Sequence, residues 1–282
     1  MAYVTKMVRS RSDSDIGMSF VSAHPPGLSP DRYPSADAMA SVFPQWLNGI
    51  ALKPALERHV LIAAFALQDW RAWETQALAI IDPRERGRAE RQRQPRHRAD
   101  LVLAYAFHRL VLAHALGVPA AQVPLTRDAR GRPMLEGRLE QTSLSHAEGV
   151  VTVAVSMSGD VGVDIEPVSR AQVMPEIAGR ICHAAESARI AQVPDADRAA
   201  ALLDLWVRKE AFLKAAGVGL EREMDTFSLP VEGVVALHPD GTAEVEIERL
   251  DLGPDVVCAV ARPPGAGCIA GWLRPMRRDE VR

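Results

Sequence analysis

SLSHAEGVVTVAVSMSGDVGVDIEPV, residues 143–168, is the stretch that decides the fold. Its β-branched and apolar residues run through two extended segments, and Ser158-Gly159-Asp160 is a glycine-containing turn between them. That pattern predicts a hairpin of two strands. In the second segment Asp164 and Glu166 alternate with Val163, Ile165 and Pro167. Side chains two apart on a strand share a face, so one face is apolar and the other doubly acidic. Two carboxylates this close repel each other, and a bound cation relieves the repulsion. Oxygen ligands select a hard ion, magnesium or manganese. The competing reading is a solvated strand face.

Working outward, GRPML at 131–135 is a turn leading into a short extended piece, and Ser145-His146 opens the hairpin. A hydroxyl beside an imidazole is a plausible phosphate contact; a structural edge histidine is the alternative. Downstream, Asp197 to Ala216 reads as a long helix that carries WVRKEAFLKAAG and stops near Gly217. Glu210 and Lys214 are four apart and so lie on one helix face. They form either a surface ion pair or a third carboxylate and a cation for the acidic strand. A second helical region spans about Pro175 to Ile190, and AEVEIERL, DVVCAVARP and CIAGWLRP are strand-like.

On the N-terminal side, HVLIAAFAL from His59 reads as a buried strand, with Asp69 as N-cap of a helix over WRAWETQALAII. RERGRAERQRQPRHR, residues 84–98, holds seven arginines against two glutamates. Ala99 to Leu116 is apolar almost all round and ends at Gly117, which predicts a core helix. Asp100, His108, Arg109 and His114 within it argue against a membrane span. Residues 1–57 are punctuated by Pro25, Pro26, Pro30, Pro34, Pro44 and Pro54. They are expected to be irregular, with a short docked turn at Phe43, Trp46 and Leu47. Helices and strands mixed in this way predict an α+β protein.

Composition narrows the function. The 282 residues are 48% apolar and 24% charged, with a net charge of −3, so any affinity for phosphate must come from a local patch. Cys182, Cys258 and Cys268 are odd in number and widely spaced, neither a disulfide framework nor a zinc site. A reducing, cytoplasmic setting is the expectation. The first twenty residues hold no apolar run of the secretory kind. Neither a GxxxxGK[ST] loop nor a GxGxxG after a strand occurs, so phosphate must be gripped by arginines and metal.

The ordered set GRPML, SLSHA, VGVDIE and WVRKEAFLKA resembles 4′-phosphopantetheinyl transferases of the surfactin-synthetase-activating type, from about His59 to the C-terminus. Trp206 and Ala211 match the branch written W/KEA. The resemblance implies a pseudo-dimer of two similar α+β halves, residues 58–165 and 166–282, following the 1–57 extension. It implies transfer of phosphopantetheine from coenzyme A to a serine of an apo acyl or peptidyl carrier protein, with release of 3′,5′-ADP. It implies Mg²⁺, or Mn²⁺, on Asp164, Glu166 and Glu210. Lys214 and His146 would touch the reacting phosphate, and Ser145 and Arg132 other phosphates of coenzyme A. Glu186 falls where an acidic residue is suspected of deprotonating the carrier serine; Glu210 through a water, or a metal-bound hydroxide, are the other candidate bases. Arg86, Arg91 and Arg98 are the candidates for the 3′-phosphate. A monomer is the default for an internal pseudo-dimer. Two competing readings are a magnesium-dependent phosphoester hydrolase and a nucleic-acid-binding module using Arg84 to Arg98; 5% aromatic residues and the net charge argue against the latter.

Overall fold

A computed structural model of the protein describes residues 7–9, 16–19, 39 and 57–274. The turn expected at Phe43, Trp46 and Leu47 lies outside the described residues. Within the stretch read as irregular, β1 (Met7–Arg9) and β2 (Ile16–Ser19) pair antiparallel. Met39 is fully buried in the first core.

Period-two alternation builds the centre of the molecule. In β3 (His59–Ala66), Leu61, Ala63 and Phe65 face one core and Val60, Ile62 and Ala64 face another. The first core is closed by a helix, the second by another sheet. β3 runs straight into α1 (Leu67–Trp70), whose Leu67 N–H donates to Gly149 O. A single 3-10 turn then leads to α2 (Glu74–Ile80). The helix therefore begins before Asp69, which is not an N-cap: the Gly149 carbonyl already accepts from the first amide. Next come α3 (Pro83–Glu90) and α4 (Pro95–Leu116). Asp82 and Glu85 form a reciprocal capping box on α3, and Arg109 of α4 pairs with both at 2.5 and 2.6 Å. Helix α4 stops at Gly117, which takes φ 68°, a left-handed value favouring glycine. It is long and apolar enough to cross a membrane, but 78% of its apolar window is buried within the fold, against β3 and its neighbours.

The decisive stretch holds three strands, not two. After the short pair β4 (Leu125–Arg127) and β5 (Pro133–Leu135) come β6 (Gln141–Ala147), β7 (Val150–Ser156) and β8 (Gly162–Pro167). The hairpin turn is Glu148-Gly149, with Gly149 at φ 80°. Ser158–Asp160, expected to turn a hairpin, instead carries the chain from one sheet to the other. The reason is that β8 finds its partner far away in sequence.

Downstream lie α5 (Met174–Ile181), α6 (Ala184–Ile190) and α7 (Asp195–Ala216), then β9 (Val234–Ala236), β10 (Glu244–Leu250), β11 (Val256–Arg262) and β12 (Gly267–Trp272). The helical region expected over 175–190 is broken at Cys182, where His183 and Glu186 start a new helix with a capping box. The six-stranded sheet has the order β1-β2-β12-β3-β7-β6 and the four-stranded sheet β8-β11-β10-β9. The C-terminal strand β12 thus returns to lie parallel to β3. Val163 and Ile165 of β8, with Val256, Cys258 and Val260 of β11, face the other sheet, while Val257, Ala259 and Ala261 face α7. The layers run α4, six-stranded sheet, four-stranded sheet, α7. This is the mixed α+β fold expected from the sequence.

Candidate active site

Asp164 and Glu166 sit on β8, opposite Ala259 and Val257 of β11, and so on the α7 side of the sheet. Beyond β8 lies the edge strand β6 of the other sheet, which packs beside it. The carboxylates therefore occupy a seam between the two sheets, roofed by α7.

Gly162 determines how close that roof comes. A Cβ there would stand 2.0 Å from Ala211 O and 2.4 Å from Ala215 N, so strand backbone and helix backbone touch. The contact brings Glu210 and Lys214 over the acidic face. Lys214 Nζ donates to Asp164 Oδ1 at 2.6 Å, and the Ser145 hydroxyl donates to the same oxygen at 2.6 Å. Ser143 Oγ accepts from Val163 N at 3.1 Å and ties β6 to β8. Arg170, on the 3-10 turn following β8, stands 3.4 Å from Glu166 and lies over the Trp206 ring of α7 at 5.4 Å.

Two carboxylate oxygens, Asp164 Oδ2 and Glu166 Oε2, are buried with no hydrogen-bond partner. Burial pushes the Glu166 carboxyl up to about 7, and the nearby Asp164 charge adds to the rise. Burial and the Asp164 charge also raise Glu210. The three acidic groups feel one another, yet among the described residues no three His, Cys, Asp or Glu side chains converge as a ready metal cage. Lys214 and Arg170 meanwhile supply countercharge to Asp164 and Glu166. The donor set still fits a hard divalent ion: it is all oxygen, and two of its oxygens are buried without partners.

His146 reaches solvent on β6. Enough protein surrounds its ring that desolvation, with repulsion from Lys214, lowers its pKa, while Asp100 and Asp164 pull the other way. Arg132 packs against Gly217 at the C-terminus of α7, where a Cβ would lie 2.4 Å from its Nη1, and it pairs with Asp160 at 2.9 Å. The Asp128 carboxylate accepts from the Arg130 and Arg132 amides and shapes that turn. Asp164, Glu166, Glu210, Lys214, Ser145 and His146 are therefore brought together, with Arg132 at the end of the same helix.

Glu186 is not part of this group. It is 1% exposed and ion-paired to Lys209 at 2.5 Å, and it accepts from the His183 and Leu229 amides. A carboxylate so enclosed has no path to a hydroxyl on another protein. Arg86 donates to Leu78 O and Arg98 to Gln92 O, and Arg91 is exposed. None of the three lines the notch of about 80 Å³ bordered by Arg84, Arg88 and Arg127. Arg127 lies over the Tyr105 ring at 5.2 Å, donates to Gly131 O, and keeps Nη2 buried without a partner. Helix α3 turns Arg84 and Arg88 to the notch because Glu85 is drawn inward by Arg109.

Lys209 was missed from sequence. Fully buried, it donates to the carbonyls of Ile181, Met224 and Phe227 as well as pairing with Glu186. A signal was there: it falls in the apolar stripe Leu202, Leu205, Phe212, Leu213 and Ala216. A lysine in such a stripe is buried only when paired.

The sequence profile of the 4′-phosphopantetheinyl transferase superfamily matches residues 160–261, the segment from the sheet-to-sheet connection through β11. A 4′-phosphopantetheinyl transferase of Nostoc sp. is 28% identical over 191 residues, 65% of this chain and 78% of the relative. One from Bacillus pumilus is 28% identical over 170 residues, 58% and 72%. Sfp of Bacillus subtilis is 25% identical over 173 residues, 60% and 72%. The chain is thus similar to 4′-phosphopantetheinyl transferases, and the superfamily profile matches it over residues 160–261. The profile match includes the acidic strand and the KEA helix and excludes the arginine-rich helix, β7, and β6, which supplies Ser145 and His146.

Proposed function

We propose that this enzyme transfers the 4′-phosphopantetheine of coenzyme A to a serine of an apo acyl or peptidyl carrier protein, with a divalent cation, and releases 3′,5′-ADP. The observation that carries the metal-dependent reading is the pair of buried, partnerless oxygens on Asp164 and Glu166, with Glu210 and Lys214 above them. Such oxygens are costly unless a cation or donor meets them.

Asp164, Glu166 and Glu210 would hold Mg²⁺ or Mn²⁺, which supplies Lewis-acid polarisation of a phosphoryl oxygen. Lys214 and Ser145, both already on Asp164 Oδ1, flank the place where a pyrophosphate oxygen would sit. The His146 ring, its pKa lowered, is a hydrogen-bond donor that stays neutral near neutral pH. In the transfer, the serine oxygen bonds to the β-phosphorus, and the P–O bond to the 3′,5′-ADP breaks. Lys214 stabilises charge on that leaving group. With Glu186 enclosed, Glu210 acting through a water is a candidate to receive the serine proton. Arg84, Arg88 and Arg127 replace Arg86, Arg91 and Arg98 as the grip on the 3′-phosphate, supported by the unpartnered Arg127 Nη2. A reducing cytoplasmic setting suits the three free thiols.

The test is the intact mass of an apo carrier incubated with the protein, coenzyme A and Mg²⁺, with an EDTA control. A phosphopantetheine-sized gain abolished by EDTA supports the reading. No gain with any apo carrier, or a gain indifferent to EDTA, counts against transfer or against its metal dependence respectively.

A further inference from the structure

Arg170 is the second cation on the acidic face, and the transfer scheme gives it no part. It sits on the 3-10 turn Val168–Val173 that follows β8, four residues beyond Glu166. The turn is pinned at both ends. The Val168 N–H donates to Asp255 O at 3.0 Å, and Met174, the first residue of α5, is fully buried in the second core. Any rearrangement here therefore falls to the Arg170 side chain, which exchanges rotamers far faster than packed backbone shifts.

The two cations of the site hold their carboxylates differently. Lys214 Nζ donates to Asp164 Oδ1 at 2.6 Å, an oxygen it shares with the Ser145 hydroxyl. Arg170 Nε stands 3.4 Å from Glu166 Oε1 and makes no hydrogen bond, although the atom is buried. Glu166 Oε2 is buried without a partner as well. A guanidinium seated on a carboxylate meets it through paired, parallel hydrogen bonds. Here a buried donor and a buried acceptor of the same ion pair both go unmet, so the fork is not seated and charge alone holds the two together.

Arg170 has a place to stay without Glu166. Its guanidinium carbon lies 5.4 Å from the centre of the Trp206 ring on α7, within the cation–π range of about 6 Å. The side chain is 38% exposed, so water reaches the rest of it and the ion pair is screened. A divalent ion gains more from the same carboxylate. It carries twice the charge, and Glu166 Oε2 and Asp164 Oδ2 both await a partner.

We infer that Arg170 is a positioning residue that stands in for the divalent ion: it holds Glu166 on the acidic face of the metal-free chain and, remaining on the Trp206 ring, yields that carboxylate when the ion binds. This rests on the metal-dependent reading above. Two consequences follow from charge. Arg170 opposes the loading of metal by itself, because its guanidinium remains beside the ion. Its N–H groups, released from Glu166, are then left where an anionic co-substrate must approach.

Mn²⁺ binding by the full chain in the absence of coenzyme A tests this, read from the electron paramagnetic resonance signal of the free ion. Arg170→Gln removes the charge and should bind Mn²⁺ about fivefold more tightly than wild type, whereas Arg170→Lys restores a charge and should stay within about twofold of wild type. Loss of binding in Asp164→Asn assigns the signal to this site. If Arg170→Gln binds Mn²⁺ no more tightly than wild type, or Arg170→Lys binds it as tightly as Arg170→Gln, the arginine is not a stand-in cation and this inference alone fails. If neither wild type nor Arg170→Gln binds Mn²⁺, or Asp164→Asn binds it undiminished, the metal-dependent reading fails and takes the inference with it.

Discussion

Gly162→Ala is the sharpest probe of how the site is assembled. An alanine methyl would stand 2.0 Å from Ala211 O and 2.4 Å from Ala215 N, whereas ordinary contact begins near 3.4 Å. Both obstacles are helix backbone, so no side chain can swing aside. Helix α7 must retreat from β8 by about 1.4 Å, or the strand must bow by as much. Overpacking of this kind costs about 1–3 kcal/mol of stability. The same displacement lifts Glu210 and Lys214 off the acidic face, and a shift near 1 Å in a catalytic constellation costs on the order of 10²-fold in rate. Urea denaturation followed by tryptophan fluorescence reads the first effect, and initial rates of mass gain on an apo carrier read the second. Turnover equal to wild type would show that the close approach at Gly162 does not set the geometry of the site, whatever happens to stability.

Three further outcomes follow from the same contacts. Lys209→Met leaves the Glu186 carboxylate buried without its countercharge and should destabilise the protein by about 3–5 kcal/mol in a denaturation curve; a loss under 1 kcal/mol would mean the pair is not the anchor described. Glu186→Gln should lower stability but leave the pH–rate profile of the folded enzyme unchanged, and loss of a limb of that profile would restore Glu186 as a base. Glu166 titrates at about 7 in the folded chain against 4.5 in the unfolded one, so folding binds its proton more tightly. Its stabilising contribution is complete below pH 4.5 and is lost as pH rises to about 7, by on the order of 3 kcal/mol. Melting temperatures between about pH 5 and 7.5 should therefore fall in the metal-free protein, recover with Mg²⁺ at the upper end, and flatten in Glu166→Gln; a wild-type slope that Glu166→Gln leaves intact would refute the assignment.

What could be read in the one-dimensional chain was local. The alternation of Asp164 and Glu166 with Val163 and Ile165 placed both acids on one strand face, and the four-residue spacing of Glu210 and Lys214 placed them on one helix face. Gly117 and Gly217 marked the ends of the two long helices, because each stop takes a left-handed φ of 68°. The mixture of strands and helices announced the α+β class. These features depend on neighbours within a few residues, and the periods of helix and strand are all that is needed to see them. The reading failed where local signals compete: Ser158-Gly159-Asp160 looks like a better turn than Glu148-Gly149, although only the latter closes a hairpin.

Tertiary structure decided the rest. That β8 pairs with β11, some ninety residues on, is a choice among several apolar strands that no local pattern makes. Whether an arginine in RERGRAERQRQPRHR faces solvent or a phosphate-sized notch depends on Arg109, which pulls Glu85 inward and so turns the face of α3. The role of Glu186 changed for the same reason. In sequence it looked like a base, but burial to 1% exposure joins it to the fully buried Lys209 as a structural pair. Desolvation acts through the whole surrounding mass of protein, so the protonation and reach of a carboxylate become known only when its long-range neighbours are in place.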